Sequence, residues 1–193
     1  VELVSAVIAR MIFRVLRHGV HEVRLRTTEI HGAEGAAEAW CWKYRVRQRL
    51  DGAAYDKVAF LDADCLVLRN IDHLLEGNWD IAYQPEWGLN IDSAQFSCFL
   101  TDEERATLKR PGVNSGTLAV RGAIFEDVMA EWERIDEGEP PQGRHCSDQG
   151  SWNRLLLDHA TRWTSSVAPR WKAIPFERGE VRFPMYLHPK YGD

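Results

Sequence analysis

A short apolar run that ends in two closely spaced acids restricts the fold of this chain more than any other feature. Residues 58–61 are apolar and precede Asp62 and Asp64, and a second apolar run, residues 66–68, follows them. A short, wholly apolar run is typical of a strand that is buried on both faces in a parallel sheet. We therefore expect Asp62 and Asp64 at the carboxyl end of a buried strand, which is the edge where α/β domains bind their ligands.

The segments around this run alternate between helix-like and strand-like patterns. Helices are predicted over residues 3–17, 33–50 and 123–135 and after the caps at Thr101 and Ser147, and strands over residues 20–25, 58–61 and 116–121. This alternation predicts one α/β domain over residues 1–193, with a mainly parallel sheet flanked by helices. Such a domain usually opens with a strand, whereas this chain opens with a predicted helix. We therefore expect that a leading strand-helix-strand unit of about 30 residues is missing.

Composition argues against several classes of protein. The 193 residues suffice for one domain with its own core. A formal net charge of -5 argues against a nucleic-acid partner, because such proteins carry a clustered excess of Lys and Arg. No apolar run reaches the length of about 20 residues that a membrane span needs, and the first residues do not resemble a signal peptide, so we expect a cytoplasmic protein. Four widely spaced cysteines without a Cys-x-x-Cys pair predict free thiols.

The acidic pair itself points to a metal site. Two carboxylates one residue apart at a strand end can bind one hard cation, Mn²⁺ or Mg²⁺, together with phosphate oxygens of a substrate. Unpaired, the two charges would repel each other and resist burial. A polar turn is the alternative for such a triplet, but the apolar runs on both sides of Asp62 and Asp64 favour metal binding.

Phosphatases of the haloacid dehalogenase class offer a rival interpretation, because they also place Asp-x-Asp after an apolar strand and use the first Asp as nucleophile. That class calls for Thr or Val where this chain has Leu66, and for a later acidic motif that the sequence lacks. It also places the triplet close to the chain start. The rival is therefore disfavoured.

Residues 56–72 resemble the metal-binding segment of glycosyltransferase family 8, the glycogenin-like retaining enzymes. Three further blocks resemble the family's motifs in the same order: Asn114-Ser115-Gly116 its Asn-Ser-Gly turn, Asp148-Gln149 its Asp-Gln turn, and His188 its late metal-binding histidine. The resemblance covers residues 36–190. It implies a GT-A fold, in which a Rossmann-like sheet binds the nucleotide and Mn²⁺ bridges the diphosphate to the protein.

The resemblance also implies roles for the acidic block and the late histidine. Asp62 is expected to contact the metal and the ribose, and Asp64 and His188 to bind the metal. Ala63, between the two acids, is counted with the residues that bind the nucleotide sugar. Taken alone, His188 would more often be a surface histidine.

The middle blocks are expected to face the sugar. Ser115 borders the cleft and Gly116 lets the sugar approach the backbone closely, although an ordinary turn into a strand would show the same pattern. Asn114, Asp148 and Gln149 are predicted to be catalytic, with Asp148 orienting donor sugar and acceptor hydroxyl. The alternative for Asp148 is a helix-start carboxylate that the helix dipole favours.

Two lysines are candidates for the diphosphate. Lys43 resembles the family's lysine ahead of the metal strand, and Lys190 follows His188 at a shorter interval than the family shows. Lys43 also belongs to a basic cluster with Arg45, Arg47 and Arg49. A solvated helix face is the favoured interpretation of that cluster, and contact with a diphosphate is the other.

These observations predict a metal-dependent glycosyltransferase. It would move a hexose from a nucleotide diphosphate sugar, UDP-linked by the resemblance, to a hydroxyl of a glycan, protein or small molecule, with retention at the anomeric carbon. The competing class is a non-catalytic module that binds a nucleotide sugar or a glycan, suggested by the missing leading unit.

Overall fold

The computed structural model describes residues 8–17, 20–29, 43–62, 66–67, 77–141, 143, 147–161, 163, 168–176 and 181–182. Within these residues the strands are β1 (Ile8–Arg17), β2 (Val20–Glu29), β3 (Lys57–Leu61), β4 (Leu66–Val67), β5 (Ile81–Asn90), β6 (Pro111–Arg121), β7 (Ala173–Pro175) and β8 (Val181–Arg182). Six of them form one sheet in the order β2-β1-β3-β6-β5-β7. The other two, β4 and β8, pair with each other.

Three α-helices accompany the described strands: α1 (Asp102–Thr107), α2 (Phe125–Asp136) and α3 (Asp148–His159). The predicted caps are confirmed. Thr101 and Glu104 form a capping box at the start of α1, and the side chain of Ser147 accepts a hydrogen bond from the Gln149 N–H at the start of α3. None of the described helices combines the length and apolar character that crossing a membrane requires.

The α/β class is confirmed, but the expectation of a mainly parallel sheet is wrong. β3 runs antiparallel to both of its neighbours, β1 and β6, and β5 is antiparallel to β6. Among the described strands only β5 and β7 pair in parallel. An apolar run such as residues 58–61 shows that both faces of a strand are covered and says nothing about the direction of its neighbours.

The helix predicted over residues 3–17 is also wrong for its described part. Residues 8–17 form β1, which pairs along its whole length with β2 in a hairpin. The predicted helix depended on apolar residues spaced four apart, and a spacing of four also places residues on one face of a strand, whose side chains alternate with period two. A missing leading unit was expected because of this predicted helix, so the observed strand removes the reason for expecting it.

The helix predicted over residues 33–50 is described only from Lys43 onwards. Residues 43–45 are helical, a 3-10 turn follows at Val46–Gln48, and residues 33–42 lie outside the described ranges. α2 and α3 pack against each other and bury their large side chains with the central strands, including Trp132, Trp152, Leu155 and Leu156. This core fixes the first turn of α3 beside the central strands.

The prediction of free thiols is wrong for Cys98. This buried residue, in the 3-10 turn Ser97–Phe99, is disulfide-bonded. The other three cysteines of the sequence, Cys41, Cys65 and Cys146, lie outside the described residues. Spacing along the sequence gave no sign of this bond, because the pairing of distant cysteines depends on the fold.

A hydrogen bond between helices joins α2 to α3. Glu131 of α2 accepts hydrogen bonds from Arg134 and lies 3.0 Å from Nε2 of His159 at the end of α3. These hydrogen bonds, those from Arg134 above all, hold the pKa of the Glu131 carboxyl at about 2 despite partial burial.

We predict that Glu131 makes the protein less stable in acid. A folded pKa below the unfolded value adds stability above pH 4.5, and this stability is lost as the pH falls towards 2. The free energy of unfolding, measured with denaturant, should fall between pH 5 and pH 2.5 in both proteins. The fall should be larger in wild type than in Glu131→Gln, by an amount on the order of 2 kcal/mol. The matched control is Glu139→Gln, at an exposed loop position. Equal losses in wild type and Glu131→Gln would contradict the prediction.

Candidate functional site

The site lies where β3 ends and its antiparallel neighbour β6 continues. The last paired residues are Leu61 and Thr117, and one step further the Asp62 N–H donates to the Gly116 carbonyl at 2.7 Å. The antiparallel ladder therefore carries the chain of Asp62 directly against Gly116. Backbone pairing thus brings the first and second sequence blocks together.

An irregularity in β6 shapes the second block. Tyr83 of β5 pairs with Leu118, but the next residue, Gln84, pairs with Asn114, so residues 115–117 have no counterpart in β5. Asn114 fixes this bend, because its Oδ1 accepts a hydrogen bond from the Gly116 N–H at 2.7 Å. Bulges re-aim side chains out of a regular ladder, and here Ser115 donates from Oγ to Oδ2 of Asp148 at 2.7 Å.

Lys43 joins all the described blocks. Its Nζ lies 3.1 Å from Oδ2 of Asp62 and 2.9 Å from Oδ2 of Asp148, and it donates to Oγ of Ser115 at 3.2 Å. The ammonium also stands 5.5 Å from the centre of the Phe60 ring. An ammonium has three N–H groups, and three acceptors from three separate parts of the chain surround it.

The charge of Lys43 persists although the residue is only 7% exposed. Burial is the largest single influence and would lower the pKa of the ammonium. The charges of Asp148 and Asp62 and their hydrogen bonds together outweigh it and raise the pKa. A buried cation is tolerated when its hydrogen bonds are satisfied, so the site holds a fixed positive charge between two carboxylates.

Asp148 is positioned by α3 without serving as its cap. Ser147 caps the helix, while the Asp148 carboxylate is 4% exposed and uses Oδ2 for both Lys43 and Ser115. One oxygen of Asp148 is thus committed to Lys43 and Ser115.

The solvated helix face expected for the basic cluster is wrong for Lys43, Arg45 and Arg47, whereas Arg49 is exposed. Lys43 is buried, and the guanidinium groups of Arg45 and Arg47 bind glutamates of α2 and the residue after it. Their partners are Glu126 and Glu133 for Arg47, and Glu133 and Glu137 for Arg45. These two arginines hold the segment of Lys43 against α2 and are occupied in doing so.

The predicted metal site is described only through Asp62. Ala63, Asp64, His188 and Lys190 lie outside the described residues, and within the described ranges no three His, Cys, Asp or Glu side chains come together as a metal site would require. Asp62 suits the role of one ligand, because its side chain is 31% exposed and its carboxylate oxygens are the ligand type that Mn²⁺ and Mg²⁺ prefer.

Two polar residues of β5 near the site were not predicted from the sequence. Gln84, opposite Asn114, is 6% exposed and its Oε1 has no hydrogen-bond partner among the described residues, as is also true of Oε1 of Gln149. Glu86, two residues further along, is also buried. Nothing in the sequence could have singled them out, because polar residues at alternate positions are equally typical of a strand face in contact with water.

Comparisons of the chain with protein-family models, with curated proteins and with solved structures gave no match. What the structure defines is an α/β protein with a mixed sheet, in which a buried lysine lies between two carboxylates. Membership of glycosyltransferase family 8 stays a prediction from the four sequence blocks.

We predict that Lys43→Met destabilises the protein strongly, because it leaves the Asp148 carboxylate buried without its cation. Breaking a buried pair in this way costs about 3–5 kcal/mol, measurable by urea unfolding. The double variant Lys43→Met/Asp148→Asn should recover much of the loss. Lys172→Met, at an exposed position, is the control and should change stability by less than about 0.5 kcal/mol. A loss in Lys43→Met no larger than in this control would exclude the buried pair.

Proposed function

We propose that this protein is a metal-dependent glycosyltransferase of the GT-A type. It would transfer a hexose from a UDP-linked sugar to a hydroxyl of a glycan, protein or small molecule, with retention at the anomeric carbon. The observation that carries the proposal is the convergence on Lys43 of Asp62, Ser115 and Asp148. These residues come from the three described blocks of the family resemblance, which lie far apart in the sequence.

The proposed division of work follows from exposure and hydrogen bonding. Asp62, with Asp64 and His188, would hold Mn²⁺ or Mg²⁺ at the open side of the cluster. When bound, such an ion supplies neutralisation of the charge that grows on the departing diphosphate. The Lys43 ammonium lies between Asp62 and Asp148, so it adds fixed positive potential between the metal side and the sugar side of the site.

Asp148 would orient the reacting groups. Lys43 and Ser115 hold its Oδ2, and its Oδ1 would accept a hydrogen bond from a sugar or acceptor hydroxyl. Asn114 and Gln149 would contact the sugar beside it. Ser115 is 1% exposed and bonded to both charged partners, so we assign it to the support of Asp148 and leave close approach of the sugar to Gly116. Lys190 would face the diphosphate.

One feature of the structure bears on the cellular location of the protein. The cytoplasmic location predicted from the sequence stays a prediction, and the disulfide of Cys98 counts against it, because disulfides are rare in the reducing cytosol. Mass spectrometry of the protein isolated from its own cell, without reductant, would decide whether the bond forms there.

We predict that UDP binds only together with Mn²⁺, because the ion connects the diphosphate to Asp62, Asp64 and His188. Calorimetry of UDP with and without Mn²⁺ measures this. Asp64→Asn and His188→Ala should each weaken UDP binding in Mn²⁺ by roughly 10-fold or more, whereas Asp127→Asn, an exposed position on α2, should not. Heat of equal size with and without Mn²⁺ would rule out the metal assignment.

We predict that Asp148→Asn lowers turnover by roughly 10²-fold, the scale of a lost positioning group, with UDP affinity in Mn²⁺ nearly unchanged. UDP-glucose hydrolysis, with water as the acceptor, measures turnover. Because the variant also disturbs the pair with Lys43, stability should fall by about 1–3 kcal/mol. A normal rate in a less stable protein would return Asp148 to a structural role. UDP binding without any turnover of UDP-sugars in wild type would instead favour the non-catalytic module.

A further inference from the structure

A second buried cluster lies behind the Lys43 site. Asp136, the last residue of α2, is 7% exposed. Its Oδ2 accepts a hydrogen bond from the Tyr44 hydroxyl at 2.8 Å, and its Oδ1 accepts one from the Ser151 hydroxyl at 2.5 Å. Ser151 in turn accepts from Nε1 of Trp132 at 2.9 Å. Tyr44, Ser151 and Trp132 are completely buried.

A carboxylate in this place is costly for stability. Removing a carboxylate from water is unfavourable, and the hydrogen bonds from Tyr44 and Ser151 offset part of that cost. The C-terminal end of a helix carries partial negative charge and repels an anion. Apolar residues of similar volume would often stabilise a core at least as well as buried charged groups do. The contribution of Asp136 is therefore to be sought in the geometry that it fixes.

That geometry concerns the two residues that hold the candidate site together. Tyr44 directly follows Lys43 in the chain, and its ring packs edge-on against Trp132 at 5.6 Å. Ser151 lies one helical turn after Asp148, and its Oγ is 3.0 Å from the Asp148 carbonyl oxygen. One carboxylate thus binds, through two hydroxyls, both backbone segments from which Lys43 and Asp148 extend.

We propose that Asp136 is a positioning residue that, through Tyr44 and Ser151, sets the separation of Lys43 and Asp148. Besides this link, the side chains of Lys43 and Asp148 are joined directly, at 2.9 Å, and through the Ser115 hydroxyl, which bonds both of them. A displacement of about 1 Å in a site can reduce turnover by roughly 10²-fold. The effect on turnover rests on the proposed function, whereas the effect on the Lys43 ammonium does not.

The ammonium gives a direct test that needs no substrate. Because Lys43 is buried with three acceptors, its Nζ–H group should give a slowly exchanging ¹H–¹⁵N signal in NMR, identified by its loss in Lys43→Arg. Tyr44→Phe keeps the ring and removes only the hydroxyl. We expect the Nζ–H exchange rate to rise at least about 10-fold in Tyr44→Phe and in Asp136→Asn. Glu137→Gln, the next residue and an exposed one, should leave it unchanged.

The rate of UDP-glucose hydrolysis is the second measurement. We expect Tyr44→Phe to lower kcat for UDP-glucose hydrolysis about 10-fold or more, with KM and UDP affinity in Mn²⁺ within about 2-fold of wild type. In an Asp148→Asn background the same substitution should have little further effect on kcat, because the residue that it positions is gone. Glu137→Gln is again the control.

The outcomes separate the two proposals. A protected Lys43 signal in wild type that survives Tyr44→Phe and Asp136→Asn unchanged, with only a lower melting temperature, would overturn the positioning role. So would the absence of a protected signal in wild type. A signal that responds as expected in a protein that binds no UDP with Mn²⁺ would support the positioning role and overturn the proposed function.

Discussion

The buried ammonium of Lys43 is the interaction on which the arrangement of the site depends. It is surrounded by Asp62, Asp148 and Ser115, which come from the end of a strand, the start of a helix and the bend of a second strand. Each carboxylate alone would be hard to bury, and the lysine alone still more so. Against the effect of burial, the two carboxylates raise the pKa of Lys43, so a fixed positive charge exists before any ligand arrives.

The sheet makes this cluster possible through antiparallel pairing. Since β6 runs opposite to β3 and is longer, it continues past the end of β3 and brings Gly116 against Asp62. The bend at residues 115–117 then turns Ser115 towards Asp148. Both α2 and the arginines bound to it hold the segment of Lys43 in place, so the site is supported from the sheet on one side and from the helices on the other.

Much of the local structure was predictable because it depends on neighbours in sequence. The caps at Thr101 and Ser147 use a side chain and an N–H two or three residues away, and the apolar run before Asp62 is long enough for a buried strand. The first helix was mispredicted because apolar residues four apart fit one face of either a helix or a strand, and pairing with β2 decided between them. Strand direction was likewise invisible, since it is a property of the partner strand.

The sequence by itself determined which residue types are available for chemistry and their order: an acidic pair after an apolar strand, an Asn-Ser-Gly block, and an acid directly after a helix cap. Only the tertiary structure decided that Lys43 joins them, because a lysine in a row of arginines has the same pattern whether it faces water or the core. The tertiary structure likewise decided the disulfide of Cys98 and the hydrogen bond that Asp136 accepts from Tyr44. Long-range contacts decide which of the locally possible structures forms. A charged group that becomes buried must then be paired and hydrogen-bonded, because desolvation is otherwise too costly.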